Sequence, residues 1–405
     1  FSPNDAASKD ALIKRAYADL IGLPPSYNEL NHWRSISNEN WYERLIDYLL
    51  QKPAYGEKLA LLWMDLARYA DSYGFQDDNI RSQWPWRDWV IHAFNDNLPY
   101  DQFLINQIAG DLLPNATKKN ILATAFFRNH KFTEEGGVID EEYRVSYNID
   151  KTRTYGKAFL GVTIECAQCH DHKYDPFSNR DYYQLYAFFN ESKEKGYEGD
   201  VSVSTPAKNP KLLISAQERN KLLSFLNTSD TSQLEVSVMG DWSPKDSIKP
   251  RLTYILARGS YDAPTDQLVK PTALESIMPF DTTKYQRNRL GLAQWTTNAQ
   301  NPLTARVFVN FIWQELFGKG IVNTSADYGL QGELPTHPEL LDWLAVDFME
   351  HQWDIKYLIK KIVMSSTFKQ SAEMSSEQLT LDPDNIYYSR SPRLRFKAEI
   401  IRDFA

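Results

Sequence analysis

The sequence predicts a mainly α protein, with two helical units joined by an irregular linker that carries a little β structure. Three observations predict it. Apolar residues recur at helical spacing through most of 1–195 and 286–405. Capping and stop signals punctuate those runs at helix-sized intervals. Between them the chain turns polar and aperiodic over 190–250, and a strand-like run appears only at Leu252-Thr253-Tyr254-Ile255-Leu256, followed by the turn Arg258-Gly259-Ser260-Tyr261. We therefore divide the chain into a first unit over 1–195, a linker with one short β segment over 196–285, and a second unit over 286–405.

The elements follow in order. Leu12, Ile13, Ala16, Tyr17, Leu20 and Ile21 mark an amphipathic helix over 8–23, stopped by Gly22 and Pro24-Pro25. Ser26-Tyr27-Asn28-Glu29 is a capping box opening the next helix. Helices continue over 40–51 and 55–71, where Met64 reads as core. The segment 71–90 breaks the pattern, with three Trp and two Arg within 81–89. Helix returns over 98–128, interrupted at Pro114. The acidic run Glu134 through Glu142 reads as a loop and solvated helix start before a helix over 141–160, since carboxylates favour the positive end of the helix dipole. Ser178-Asn179-Arg180-Asp181 caps a helix striped with Tyr182, Tyr183, Leu185, Tyr186, Phe188 and Phe189. In the second unit, Asn301-Pro302 precedes a helix that Gly318 ends, and Thr336-His337-Pro338-Glu339 reads as a capping box with a structural His337. Ile400 through Ala405 stops inside an apolar helical pattern, so we expect a longer protein.

Composition narrows the function classes. The net charge of −8 disfavours nucleic acid as a partner. No run of 18 apolar residues occurs, so no transmembrane segment is expected. With 11 Trp and 23 Tyr, the chain is rich in flat rings, which need large packed interfaces or flat partners such as a porphyrin or a sugar.

The two cysteines sit three apart in Cys166-Ala167-Gln168-Cys169-His170. Cys-x-x-Cys-His is the attachment signature of c-type haem. Two thiols add across the vinyl groups on one porphyrin edge, and the next residue supplies an imidazole to the iron. Chance would give this arrangement on the order of once in ten thousand chains of this size. The rivals are a redox dithiol, which wants a βαβ setting, and a zinc site, which lacks a second ligand pair. Cys166, Cys169 and His170 are thus the haem candidates, with His170 as proximal ligand. His130, about 40 residues upstream, is the candidate distal ligand, and His172 reads as a structural hydrogen-bonder. Trp86, Arg81 and Arg87 are candidates for a haem wall, the arginines because a guanidinium fork matches a propionate.

Several longer strings carry a resemblance. Ala67-Arg68-Tyr69-Ala70-Asp71, Trp84-Pro85-Trp86-Arg87-Asp88-Trp89, Ala109-Gly110-Asp111-Leu112-Leu113-Pro114 and 166–176 resemble the planctomycete-type cytochrome c domain. Asn301-Pro302-Leu303-Thr304-Ala305-Arg306-Val307, Asp327-Tyr328-Gly329-Leu330-Gln331-Gly332 and 336–343 are similar to the domain of unknown function that follows it in that family. The resemblance implies a secreted or envelope-bound bacterial protein, periplasmic or at the cell surface, from a polysaccharide-degrading bacterium. It also implies a chain extending at both ends, with a signal peptide in front. The expected function is electron transfer by one covalent haem c, with a redox partner protein, an envelope complex or a glycan as partner. The alternatives are a haem oxidoreductase with an open distal site and an envelope scaffold in which haem is structural.

Overall fold

The computed structural model describes residues 2–202, 204–218, 233–243, 246 and 250–404. Parts of the expected irregular linker, at 219–232, 244–245 and 247–249, lie outside the described residues. The fold is mainly helical with small antiparallel ribbons.

The first helices form where capping chemistry starts and stops them. α1 (Lys9–Ile21) is capped by Ser8 and ends at Gly22 in the left-handed conformation. α2 (Tyr27–Ser35) opens on the full Ser26/Glu29 capping box. α3 (Trp41–Leu49) and α4 (Pro53–Leu66) follow, with Pro53 in the first turn, where its missing N–H costs nothing. Met64 is half-buried against the core.

The segment read as a break over 71–90 is half loop and half helix. α5 (Trp84–Asn95) starts at Trp84 itself, because Pro85 falls in its first turn rather than in its interior. α6 (Tyr100–Ala109), a 3₁₀ turn and α7 (Lys118–Ala123) occupy the expected helical stretch, with Pro114 in the gap. A 3₁₀ segment, Thr124–Arg128, follows. α8 (Asp140–Tyr155) begins on its acidic first turn and passes directly into one π-helical turn, Gly156–Leu160. α9 (Asn179–Asn190) carries the Ser178/Asp181 capping box.

The linker holds more β structure than the single expected segment. β1 (Glu198–Gly199) pairs with β2 (Ser204–Thr205), β3 (Lys211–Ile214) with β4 (Leu234–Ser237), and β5 (Thr253–Leu256) with β6 (Pro264–Val269), all antiparallel. Strands this short show too few alternations to register as a period.

In the last unit, the helix Thr304–Phe317 ends at left-handed Gly318 as expected. The helix Pro338–Glu350 departs from expectation. His337 is its N-cap residue but its side chain makes no capping bond, its Nδ1 lying 3.0 Å from Thr336 Oγ1, and Thr336 Oγ1 is 3.3 Å from Ile321 O instead of capping. Helical structure closes the chain over Ala398–Phe404.

One contiguous core runs from α1 to the C-terminal helices. Tyr100 stacks on Phe308 with ring centroids 3.8 Å apart. Arg289 adds a polar pin. Its guanidinium grips both oxygens of Asp111 at 2.9 and 2.6 Å, reaches Asp241 at 2.9 Å and donates to Ile108 O at 2.7 Å. Both carboxylates lose their partner if it goes. Arg289→Leu should therefore lower unfolding stability by about 3 kcal/mol or more. The triple variant with Asp111→Asn and Asp241→Asn should regain part of that loss. Urea denaturation of the two proteins checks it, and equal stability would refute the assignment.

Candidate functional site

Residues Glu165–Gln168 form a 3₁₀ turn closed by Cys169 N–H on Cys166 O at 3.3 Å. Three residues per turn bring positions i and i+3 to the same side, so Cys166 and Cys169 share a face. Both thiols are exposed and unbridged, and His170 is exposed beside them. His170 Nδ1 lies 2.7 Å from Asp171 O. A carbonyl only accepts, so Nδ1 carries a proton and Nε2 is the ring nitrogen that could act as an acceptor.

Long-range contacts set this turn. Asn179, at the start of α9, donates its amide to Ala167 O at 2.7 Å and Gln168 O at 3.0 Å. Tyr183 Oη donates to Gln168 O at 3.1 Å, and Arg153 of α8 to Gln168 Oε1 at 2.6 Å. The tip of the β5–β6 ribbon closes over the other side, where Cys169 Sγ lies 3.2 Å from Arg258 O. Gly259 has φ +74°, and a Cβ there would sit 2.7 Å from the Gln168 amide and 3.2 Å from Cys169 Sγ. Glycine is therefore required for this close approach.

The second unit buttresses the following loop. Asp175 Oδ1 accepts Leu330 N–H at 2.6 Å, and Tyr328 N–H donates to Gly161 O at 2.6 Å. His172 Nδ1 accepts Asp175 N–H at 2.9 Å, which places it as a structural hydrogen-bonder. Among the described residues, no three His, Cys, Asp or Glu side chains converge as a metal-ligand set. The donor set fits a porphyrin held through two sulfurs and one imidazole.

The other expected site residues are committed elsewhere. Trp86 has no exposed surface, stacks near Tyr69 and donates Nε1–H to Ala123 O at 3.2 Å, so it offers no face to a haem. Arg81 spends its fork on Ala70 O, Asn129 O and His130 O. Arg87 pairs with Asp88 at 2.9 Å. His130 is buried, with Nε2 2.9 Å from Glu194 and Nδ1 2.9 Å from Lys131 O. Burial pushes its pKa down to about 4. To act as a distal ligand, it would have to leave Glu194.

Glu194 was not visible as special in the sequence. It lies just past α9, fully buried, and pairs with Arg128 Nε at 2.9 Å, with His130 and with Lys151 of α8. Burial alone would raise its carboxyl, but Arg128, Lys151 and His130 together hold it well below the usual carboxylate range. Burial draws the Lys151 ammonium down, against the pull of Glu194, to about 8, so the pair stays charged at neutral pH.

Glu194→Gln should cost about 3–5 kcal/mol at neutral pH, because it leaves buried cations unpaired. The sign with pH follows from the direction of the shift. The folded carboxyl titrates below the unfolded one, so its contribution is complete above about pH 5 and shrinks as pH falls. The stability gap between wild type and variant should therefore narrow toward about pH 3. Urea titrations across that range check it, and a gap independent of pH would overturn the reading.

Comparison with known proteins gives two matches. No curated protein and no solved structure matches the chain. Residues 1–194 match the family described as PSCyt2, a protein of unknown function (DUF1549), and residues 288–405 match that described as PSD1, a protein of unknown function (DUF1553). The chain thus carries, in order, matches to both planctomycete cytochrome c-associated domains, the first covering the Cys166 turn and the second the 327–332 loop that buttresses it.

Proposed function

We propose that this chain is an extracytoplasmic c-type haem protein that transfers electrons. The observation that carries the reading is the exposed turn at 166–170, with two unbridged thiols on one face and an imidazole already oriented by Asp171 O. Cys166 and Cys169 would hold the porphyrin by thiol addition across its two vinyl groups, an addition that needs no oxidant. His170 Nε2 would hold the iron, and the bound group supplies one-electron exchange.

This chain's own residues do the rest. Asn179, Tyr183 and Arg153 fix the turn, and the β5–β6 tip covers one flank of Cys169. Such a site belongs where haem is attached to exported chains, so we place the protein in the periplasm or at the cell surface; the resemblance to the planctomycete-type family implies a polysaccharide-degrading system. Its net charge of −8 favours a basic redox partner. No helix of the described residues is long and apolar enough to cross a membrane.

A second reading, a haem enzyme with an open distal position, is favoured by one observation. His130 and His172, the two nearest histidines in sequence, both have ring nitrogens committed to other partners.

Protein exported by a host with a haem-attachment system should gain the mass of one haem, resist acid–acetone extraction and give a c-type pyridine haemochrome. Cys166→Ala/Cys169→Ala should abolish all three. Bare sulfurs in correctly exported protein would sink the proposal. A spectrum indifferent to carbon monoxide supports electron transfer, whereas a ligand-induced shift supports the open site.

A further inference from the structure

A cleft of about 480 Å³ opens between the loop after α4, the segment 129–131 and α8. Arg68, Tyr73, Phe75, Asn129, Lys131 and Asp150 line it. No element of the proposed haem chemistry uses it.

Its polar groups are unusually idle. Asn129 is 2% exposed, yet neither its Nδ2 nor its Oδ1 has a hydrogen-bond partner among the described residues. Arg68 Nη2 lies 2.6 Å from Asp150 Oδ2, while Nε and Nη1 are shielded and unpartnered. Buried polar groups in native proteins are nearly always bonded, so an idle amide and a half-idle guanidinium beside one cavity point to a missing partner. That partner must accept more hydrogen bonds than it donates, because the idle donors are Arg68 Nε, Arg68 Nη1 and Asn129 Nδ2. It needs one donor as well, such as a hydroxyl, for Asn129 Oδ1.

The backbone here is strained in one place. Arg68, Phe75 and Asp78 have φ of 55°, 56° and 45°, beside Gly74 at 79°. Non-glycine residues reach this region at a cost and cluster at ligand sites when their surroundings hold them. The surroundings do so here. Arg81 ties Ala70 O to Asn129 O and His130 O, Asp78 accepts Gly74 N–H at 2.8 Å, and Phe132 N–H donates to Tyr73 O at 2.9 Å. The frame is set before any ligand arrives.

Charge and shape narrow the class. The cations at the cleft are Arg68, Arg81 and Lys131, and the anions are Asp78 and Asp150. The balance favours an anion. Phe75 is 40% exposed, with Tyr143 edge-on at 5.5 Å and the Lys131 ammonium 5.6 Å from its ring centre. It offers a flat apolar face at the mouth. We propose that this cleft binds a small hydroxylated ring bearing an oxyanion, such as an acidic monosaccharide. Arg68 and Lys131 would meet the oxyanion, the Asn129 amide a hydroxyl, and Phe75 the ring face.

Calorimetric titration of the full chain with D-galacturonate, D-galactose and sodium sulfate tests this. Galacturonate should bind, and galactose about tenfold or more weaker, because it leaves the Arg68 donors unmet. Arg68→Gln and Asn129→Asp should each weaken galacturonate about tenfold or more. Lys131→Ala, at the exposed rim, should weaken it severalfold without threatening the fold, which circular dichroism verifies. Protein made in the cytoplasm, without attached haem, should bind as exported protein does, so this proposal and the haem reading fail separately. Absence of binding, galactose binding as tightly as galacturonate, sulfate alone matching galacturonate, or unchanged affinity in folded Arg68 and Lys131 variants would each overturn it.

Discussion

A single buried carboxylate holds the middle of this protein together. Glu194 draws Arg128 and His130 from one stretch of chain and Lys151 from another to one point. Each charge there would be intolerable alone, and the cluster is stable because every member has a counterpart. Arg128 then extends the hold outward. Its remaining donors reach Val238 O at 2.8 Å and Ala207 O at 2.6 Å, which anchors the region between the helical units. A segment that is polar and aperiodic in sequence is thereby held at two points within it, Ala207 and Val238, by a buried arginine. α8, held at Lys151, presents Asp150 to the cleft and Arg153 to the Cys166 turn.

The two helical units are not independent of one another. Arg289 reaches back to the Ala109-Gly110-Asp111 string, and the 327–332 loop rests on Gly161 and Asp175. Two of the strings that carry the family resemblance are therefore explained by contact. Asp111 and Asp327-Tyr328-Gly329 meet partners from the other end of the chain. Gly329 lies so close to Asp175 that a Cβ would come within 2.5 Å of its carboxylate.

What the sequence made legible was local. Ser26 with Glu29, Ser178 with Asp181, and Gly22 and Gly318 announce helix ends through bonds spanning a few residues. The grouping of Cys166, Cys169 and His170 was legible for the same reason, since it lies within five consecutive residues. What stayed hidden depends on distant pairing. Thr336 looks like a cap until Ile321 O competes for its hydroxyl. Trp86 looks like a cofactor wall until α5 turns it into the core. Glu194, 43 residues from Lys151, is one acidic residue among 53 until the fold closes. The neighbours that shape the turn, Asn179 and Gly259, read in the sequence only as parts of a helix cap and a turn.

The π-helical turn Gly156–Leu160 has a consequence for the path of the chain. Up to Tyr155, α8 serves polar partners on several sides, whereas Ala158, Phe159 and Leu160 are wholly buried apolar residues. An α-helix advances about 100° per residue, so one residue more in a turn rotates everything after it by about that amount. The wide turn acts as a phase adjuster. It lets a helix that must aim charged groups at fixed targets swing its last side chains inward, and deliver residue 161 at the angle from which the cysteine-bearing segment starts.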